Sequence, residues 1–414
     1  MFKNVKISDI GEIVSGGTPK TKVEEYWNGD IPWITPKDLS NNLDMYIEKG
    51  ERTISQLGLR SSSARLLPKG TVLFTSRTPI GNVAIAKNAV TTNQGFKSII
   101  VNDKNNNVFI YYLLQHNKRL IESYASGSTF KEISRSMMKE IEVSVPALAE
   151  QLAIANILSS LDAKIETNNE INKRLEEIAQ AIFKQWFVNF DFPNEDEDGK
   201  PYKFSGGEMV ESELGLIPRG WGVGSATEQF SVQSGGTPKT KIAEYWNGEI
   251  PFFTPKDSTV TSVFVIDTEK SITQEGLSNC NSKLYDIGTV FITLRGTVGE
   301  VAMAGKKMAM NHSCYALVPN SGFTYNYIYF LVMELVKMLK VNASGSVFNA
   351  LIVSTFSNLK TVVPSRDIIE KFDAIVKSLF SQILNNVNEN KKLGEIRDTL
   401  LPKLMSGEIR VQVD

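Results

Sequence analysis

Hydrophobic residues fall along this chain in two regimes. In the first, short β-branched runs bounded by Gly, Pro and Asn, such as TVLFT (71–75), VAIA (83–86), TVFIT (289–293) and VAMA (301–304), predict strands. Between them, Phe109 to Tyr124 and Tyr325 to Lys340 carry aromatic and aliphatic residues at helical spacing. Each such stretch predicts a mixed α/β block. In the second regime, apolar positions alternate at spacings of four and three. From Ile154 the seam runs through Leu158, Leu161, Ile165, Asn168, Asn172, Leu175, Ala179 and Ile182 to Trp186. The other seam runs from Phe372 through Val376, Leu379, Ile383, Asn386, Asn390, Leu393, Arg397 and Leu400 to Leu404. Both are heptad patterns and predict coiled-coil helices rather than helices packed only on their own block. Each is read as proline-free from Pro146 or Pro364 to its helix end, long enough for roughly 55 Å of helix.

The two regimes repeat. SGGTPKTKVEEYWNGDIPWITPKD (15–38) returns as SGGTPKTKIAEYWNGEIPFFTPKD (234–257), with 19 of 24 positions identical at an offset of 219. At an offset of 218, residues 70–86 align with 288–304 at nine of 17 identical positions, ASGSTF (125–130) with ASGSVF (343–348), and Val145-Pro146 with Val363-Pro364. A period this long excludes a solenoid and predicts a duplicated domain pair. The segments are blocks at 1–146 and 214–363, helical tails at 147–190 and 364–410, and a linker at 191–213, acidic and rich in Gly, Pro and Ser. Its acids Glu195 to Asp198 read as a solvated loop rather than a metal site.

Composition narrows the function. With 414 residues, 42% hydrophobic and 22% charged, the chain is ordinary globular protein. No apolar run approaches a membrane span and the first residues lack a secretory signal, so a cytoplasmic location is expected. Two cysteines exclude a disulfide framework and a four-thiolate metal site, and His116 and His312 leave little for a His-based one. The net charge of −1 argues against coating nucleic acid by bulk charge. The distribution is uneven: +5 over 1–146, −8 over 147–213, +2 over 214–363 and 0 over 364–414. No phosphate loop, dinucleotide fingerprint or adenine-clamping Asn/Asp-Pro-Pro occurs, and neither histidine recurs in the other copy. An enzyme active in its own right is not expected, and no catalytic, cofactor or metal site is assigned.

The duplicated SGGTPKT and YWNG segments, the heptad tails after Val-Pro, WFVNFDFP (186–193) and GLIPRGW (215–221) together resemble the specificity subunit of type I restriction-modification systems, over essentially the whole chain. The resemblance implies an α+β architecture. Two pseudo-symmetric mixed α/β target-recognition domains are held apart by an antiparallel coiled coil of two long helices. It implies that each domain reads one half of a split, asymmetric site on double-stranded DNA. The helical regions would dock two methyltransferase subunits, and motor-nuclease subunits would join the complex. S-adenosylmethionine, ATP and Mg would belong to those partners. One departure is that the first copy lacks the GLIPRGW lead-in, since Phe2 already aligns with Trp221. Two rival readings are an adaptor whose blocks bind peptides or sugars, and a methyltransferase in its own right.

On this reading, the DNA-contacting candidates recur in both copies. Arg77 and Arg295 follow a strand at one repeat position, where a guanidinium can meet phosphate or guanine; surface ion pairs are the rival. Lys20, Lys22 and Lys37, with Lys239, Lys241 and Lys256, flank turns and suit phosphates, or are solvated turn lysines. Ser128 and Ser346 follow Gly at a helix start and serve as anion contacts or ordinary N-caps. Trp27, Trp33, Trp246, Tyr26 and Tyr245 are expected in the cores. Base readout is expected where the copies diverge, at 39–69 with Arg52, Arg60 and Arg65, and at 258–287 with Lys270 and Lys283; drifting surface loops are the rival. Exchanging those stretches is expected to drive the methylated site towards a palindrome. Because Asn in an apolar seam is retained where Asn faces Asn, the helices are expected to pair Asn168 with Asn390 and Asn172 with Asn386. Paired numbers then sum to 558, with Leu161–Arg397 and Ala179–Leu379 the imperfect layers. Domain centres about 12 to 15 base pairs apart follow, and removing one heptad from both helices is expected to shorten the unread spacer by about three.

Overall fold

The computed structural model describes all residues except 1, 43, 78, 128–130, 195–197, 260–261, 296, 343–351 and 413–414. The chain divides into two compact units, Met1–Glu166 with Lys391–Asp414, and Thr167–Asn390. Each contains one of the duplicated blocks, and the blocks share one topology. In the first, a five-stranded sheet has the order Gly11–Ser15, Lys97–Val101, Val72–Phe74, Val83–Ala86, Tyr46–Ile47. Its strands are antiparallel except the last pair, where Tyr46 runs beside Ile85 in parallel. The second block repeats this order with Phe230–Ser234, Cys314–Pro319, Val290–Thr293, Val301–Ala304 and Phe264–Val265. The β-branched runs legible in the sequence are thus the central strands, buried on both faces.

A three-stranded sheet accompanies each five-stranded one. Trp27–Ile34 lies between Arg52–Ile54 and Thr91–Thr92, and Trp246–Phe253 between Lys270–Ile272 and Ala309–Met310. Both long strands bulge at the YWNG segment, where Asn28 and Asn247 take φ of 59° and 60°. Asparagine tolerates this left-handed conformation better than other non-glycine residues. The helix Asn107–His116 buries every residue from Phe109 to Leu114. It ends at Asn117, short of the Tyr124 expected from periodicity, where the backbone leaves helical geometry at φ −87° and ψ 11° and the side chain bonds the Leu113 carbonyl. A second short helix, Lys118–Ser123, follows. Its counterpart Tyr325–Asn342 runs unbroken.

The first tail helix spans Leu148–Phe183 and the second Arg366–Ser406. The second passes through Pro402, which the proline-free reading overlooked. Burial of Leu404 and Met405, each 2% exposed, anchors the turn beyond it. In the first unit Ile154 and Leu158 share a core with Leu400 and Leu404. In the second, Leu175, Ile182 and Phe183 share one with Phe372, Val376 and Ile383. Asn168 Nδ2 donates to Asn390 Oδ1 and Asn386 Nδ2 to Asn172 Oδ1, both at 2.8 Å. Asn386 Oδ1 accepts from Gln382 Nε2 at 2.9 Å. Arg397 is not idle opposite Leu161: its guanidinium bonds the Asp162 carboxylate at 2.6 Å, and that carboxylate also accepts from the Tyr112 hydroxyl. The equivalents of Tyr112 and Asp162 are Phe330 and Phe380, in ring contact at 5.6 Å. One packing position is filled by a polar network in one copy and an aromatic pair in the other.

The buried Asn pair sets register at a cost in stability. Asn172→Leu combined with Asn386→Leu is expected to leave the urea midpoint unchanged or raised, since both amides are removed together. Asn386→Leu alone strands the Asn172 amide and should cost about 1–3 kcal/mol. Equal loss in both variants would refute the pairing argument.

The first block is packed against the C-terminal turn of the chain. Lys3–Lys6 pairs antiparallel with Glu142–Val145, as Gly222–Ser225 does with Lys360–Val363. Phe2, the equivalent of Trp221, packs on Arg410 and Gly407, while Trp221 stacks on Phe192 at 5.1 Å. Arg410 is held by both oxygens of Glu150. Subtracting the 218 offset from Arg410 gives Phe192, so the C-terminal turn serves block one as WFVNFDFP serves block two. The segment expected to be a linker contains paired strands, Pro193–Asn194 with Lys200–Pro201 and Met209–Ser212 with Gly215–Pro218 at the start of the second block. Tyr202 stacks on Phe192 at 4.6 Å. Two aromatic rings in an acidic, Gly-rich segment supplied the apolar area that composition alone hid.

Candidate nucleic-acid interface

The recurrent SGGTPK segment follows the edge strand of each five-stranded sheet and crosses two other stretches of backbone. A Cβ on Gly16 would lie 2.0 Å from the Asn93 carbonyl oxygen, and one on Gly17 2.4 Å from the Ala64 nitrogen. In the second block a Cβ on Gly235 would lie 2.0 Å from the Asn311 carbonyl oxygen, and one on Gly236 2.5 Å from the Asn281 nitrogen. The glycines are therefore required by close backbone approach. The neighbours on one side, 61–65 and 279–283, belong to the stretches that diverge between copies.

Aromatic residues fix the turn from below. Trp33 Nε1 donates to the Gly17 carbonyl at 2.9 Å, and Trp27 Nε1 to that of Lys20 at 3.3 Å. Trp246 repeats the latter bond, to Lys239 at 3.3 Å. Trp27 and Trp33 are buried, while Trp246, Tyr26 and Tyr245 are half-buried. The Arg52 guanidinium lies 3.5 Å from the Trp27 ring centroid, and Lys270 sits at the same repeat position, 5.8 Å from that of Trp246. Such stacking fixes a cation at the surface.

On the other side, Asn93 and Asn311 form matching turns. Asn93 Oδ1 accepts from Gly95 N at 2.8 Å, and Asn311 Oδ1 from Ser313 N at 3.0 Å. The residue at each tip is exposed: Gln94 in one block, His312 in the other. The hydroxyl of Thr18 donates to Gln94 Oε1, and that of Thr237 is 2.7 Å from His312 Nδ1. Sequence reasoning set His312 aside because no histidine recurs. The signal was present in the alignment of TTNQG with AMNHS at the 218 offset, where Asn is common and its neighbour is not.

The candidate cations separate into two groups. Lys20, Lys22 and Arg60 in the first block, and Lys239, Lys241, Lys283 and Arg295 in the second, are exposed and form no ion pair among the described residues. Four others are engaged. Arg65 grips both oxygens of Glu12, which holds that carboxyl below its usual value. Lys37 pairs with Glu51 at 3.0 Å and Lys256 with Glu269 at 3.1 Å. Each pair is tied down by the aspartate of TPKD. Asp38 accepts from Thr35 N, Thr35 Oγ1 and Glu51 N; Asp257 repeats this with Thr254 and Glu269. Arg77 bonds Glu132 at 2.9 Å, alongside the buried Lys97 at 3.3 Å. Burial pushes the Glu132 carboxyl up, but the hydrogen bonds from Arg77 and Lys97 outweigh it and hold it low. Burial lowers the Lys97 ammonium. Arg77 and Arg295 thus share a position but not a state. Ser128 and Ser346 lie outside the described residues.

Among the described residues there is no cluster of three or more His, Cys, Asp or Glu suited to a metal, and no helix long and apolar enough to cross a membrane. Cys314 is buried, which raises its thiol and disfavours the reactive thiolate.

The family model described as type I restriction modification DNA specificity domain matches this chain twice, over residues 1–177 and 218–395. The specificity subunit of type I restriction enzyme MjaIX from Methanocaldococcus jannaschii is 38% identical over 416 residues, covering 98% of this chain and 93% of that protein. The HindI specificity subunit from Haemophilus influenzae is 28% identical over 440 residues, covering 92% and 94%. In fold, the chain is similar to the crystal structure of a type I restriction-modification S subunit from M. genitalium, with a TM-score of 0.59, 18% identity and coverage of 98% and 96%. A duplicated block, a duplicated loop frame and a twice-matched model agree, and the chain belongs to the family of type I restriction-modification DNA specificity subunits.

Proposed function

We propose that this chain is the sequence-reading subunit of a type I restriction-modification complex, in which each block recognises one half of a split, asymmetric DNA site. The observation that carries this reading is a single SGGTPK frame built twice, with unpaired surface cations beside it and different residues on its two flanks. Equal frames suit a common backbone, and unequal flanks suit two base sequences. The chain itself is non-catalytic. Two methyltransferase subunits bind its helical regions and modify adenine, and motor-nuclease subunits join them for ATP-dependent cleavage. S-adenosylmethionine, ATP and Mg belong to those partners, and the complex works in the cytoplasm. The adaptor reading has no observation in its favour.

The test is selection from a randomised duplex pool by the chain assembled with its methyltransferase partner. Enrichment of one split sequence is expected; enrichment of none overturns the reading. The chain alone, near neutral in charge, should bind weakly and bind no S-adenosylmethionine. Phosphate contacts release counterions with a slope of about −0.9 per contact in log K against log salt. Lys20→Ala with Lys22→Ala should therefore reduce the slope of the complex by about 2, measured by fluorescence anisotropy across salt concentrations. Affinity should fall for every sequence alike. An unchanged slope removes these lysines from the interface.

A further inference from the structure

Resting on that reading, we propose that Gln94 and His312 are paired specificity residues, each reading one purine in the half-site of its own block. Three observations converge on this position. The first is equivalence: an offset of 218 carries Gln94 onto His312, each at the tip of a turn closed by an asparagine side chain. The second is orientation by the frame, since a threonine of the recurrent SGGTPK loop bonds the tip residue in both blocks. The third is chemistry. The tip is exposed, it differs between copies, and neither side chain makes another hydrogen bond among the described residues.

An ordinary solvated loop would account for exposure and divergence. It does not account for the same hydroxyl reaching from an identical loop to two unlike side chains. Holding a long polar side chain in one rotamer reduces the entropy lost when it meets a base, which is what a discriminating contact needs.

The bonding fixes what each tip can read. Gln94 Oε1 can only accept, so Thr18 donates to it. The amide then retains two N–H groups and one acceptor lone pair, the complement of adenine N6 and N7 in the major groove. With Thr237 as the donor to His312 Nδ1, the role Thr18 plays towards Gln94, the ring proton sits on Nε2. That N–H is a lone donor; set against position 6 of a purine, it is accepted by guanine O6 and opposed by the adenine N6 amino group. Gln94 therefore selects adenine, and His312 selects guanine.

The experiment uses the full chain assembled with its methyltransferase partner and a randomised duplex pool, with base preference read at every position. Gln94→His should change one position of one half-site from adenine to guanine. His312→Gln should make the reverse change at one position of the other half-site. Each change in discrimination should be roughly 5- to 150-fold. Thr237→Val, which keeps the shape and removes the hydroxyl, should relax the same position that His312→Gln moves and no other. These exposed exchanges should leave the thermal midpoint at the wild-type value, which separates recognition from folding. If the wild-type complex selects a split sequence but both exchanges preserve every preference, or weaken all sequences equally, this proposal is overturned while the proposed function stands. A wild-type complex that selects no sequence overturns both.

Discussion

Phe372→Ala should destabilise the second unit by about 3–5 kcal/mol, the usual cost of emptying a fully buried aromatic site. Phe372 is 0% exposed and lies in ring contact with Phe183 at 5.8 Å, Trp186 at 6.1 Å, Phe187 at 5.1 Å and Phe330 at 6.3 Å. These neighbours come from the first tail helix, the π-helical turn Lys184–Val188 and the long helix of the block. Rings anchored on three separate elements cannot close over the void together, so the cavity term persists. Urea unfolding followed by tryptophan fluorescence is the measurement, because Trp186 reports the same cluster. A loss below about 1 kcal/mol would mean that the helix is not seated on the block.

The tail seams show why this part of the molecule was legible. A heptad pattern is local, and two asparagines at matching places supply the one further number needed, the pairing sum. The positions that resisted were those where side-chain length changes the partner. Arg397 opposite Leu161 looks like a defect in an apolar seam, yet a guanidinium reaches one residue further, to Asp162, whose carboxylate also accepts from the Tyr112 hydroxyl. Phe2 illustrates another limit. Its partners Gly407 and Arg410 are about 400 residues away in sequence, and no local pattern announces that a C-terminal turn completes an N-terminal block.

The repeated loop frame was legible in the sequence, whereas the pairing state of the cations around it was not. Repetition located SGGTPK and TPKD, but repetition selects for scaffold as strongly as for contact. Lys37 and Lys256 recur because TPKD caps a turn whose aspartate binds Glu51 or Glu269, the same glutamates that take the lysine charge. Arg65, chosen for its place in a divergent stretch, spends its guanidinium on Glu12. Conversely, Gln94 and His312 lie outside 39–69 and 258–287, the divergent stretches where base readout is expected from the sequence. A search for recurrence finds the frame, and a search for long divergent stretches passes over a single exchanged residue at the tip of a shared turn.

Gly235→Ala should abolish recognition by the second block while leaving its core folded. The added methyl would sit 2.0 Å from the Asn311 carbonyl oxygen. The obstacle is backbone, fixed in turn by the Asn311 N–H bond to the Phe253 carbonyl at 2.9 Å, so no flexible side chain can yield. Overpacking of this kind costs about 1–3 kcal/mol, and the cheapest relief is movement of the exposed turn rather than of the buried strand. That movement carries Lys239 and Lys241 off their positions and separates the Thr237 hydroxyl from His312. Loss of one directed contact at about 1.4 kcal/mol is tenfold in affinity. On the proposed function, with two phosphate contacts and the proposed base contact displaced together, specific binding by the assembled complex should fall by at least about 100-fold. Gly222→Ala is the control, since a Cβ there meets nothing within 4 Å; it should bind as wild type. Anisotropy against the selected duplex and a thermal midpoint for each variant decide the matter. Wild-type affinity with alanine at 235 would show that the turn is free to move without consequence, and that the frame does not position the contacts.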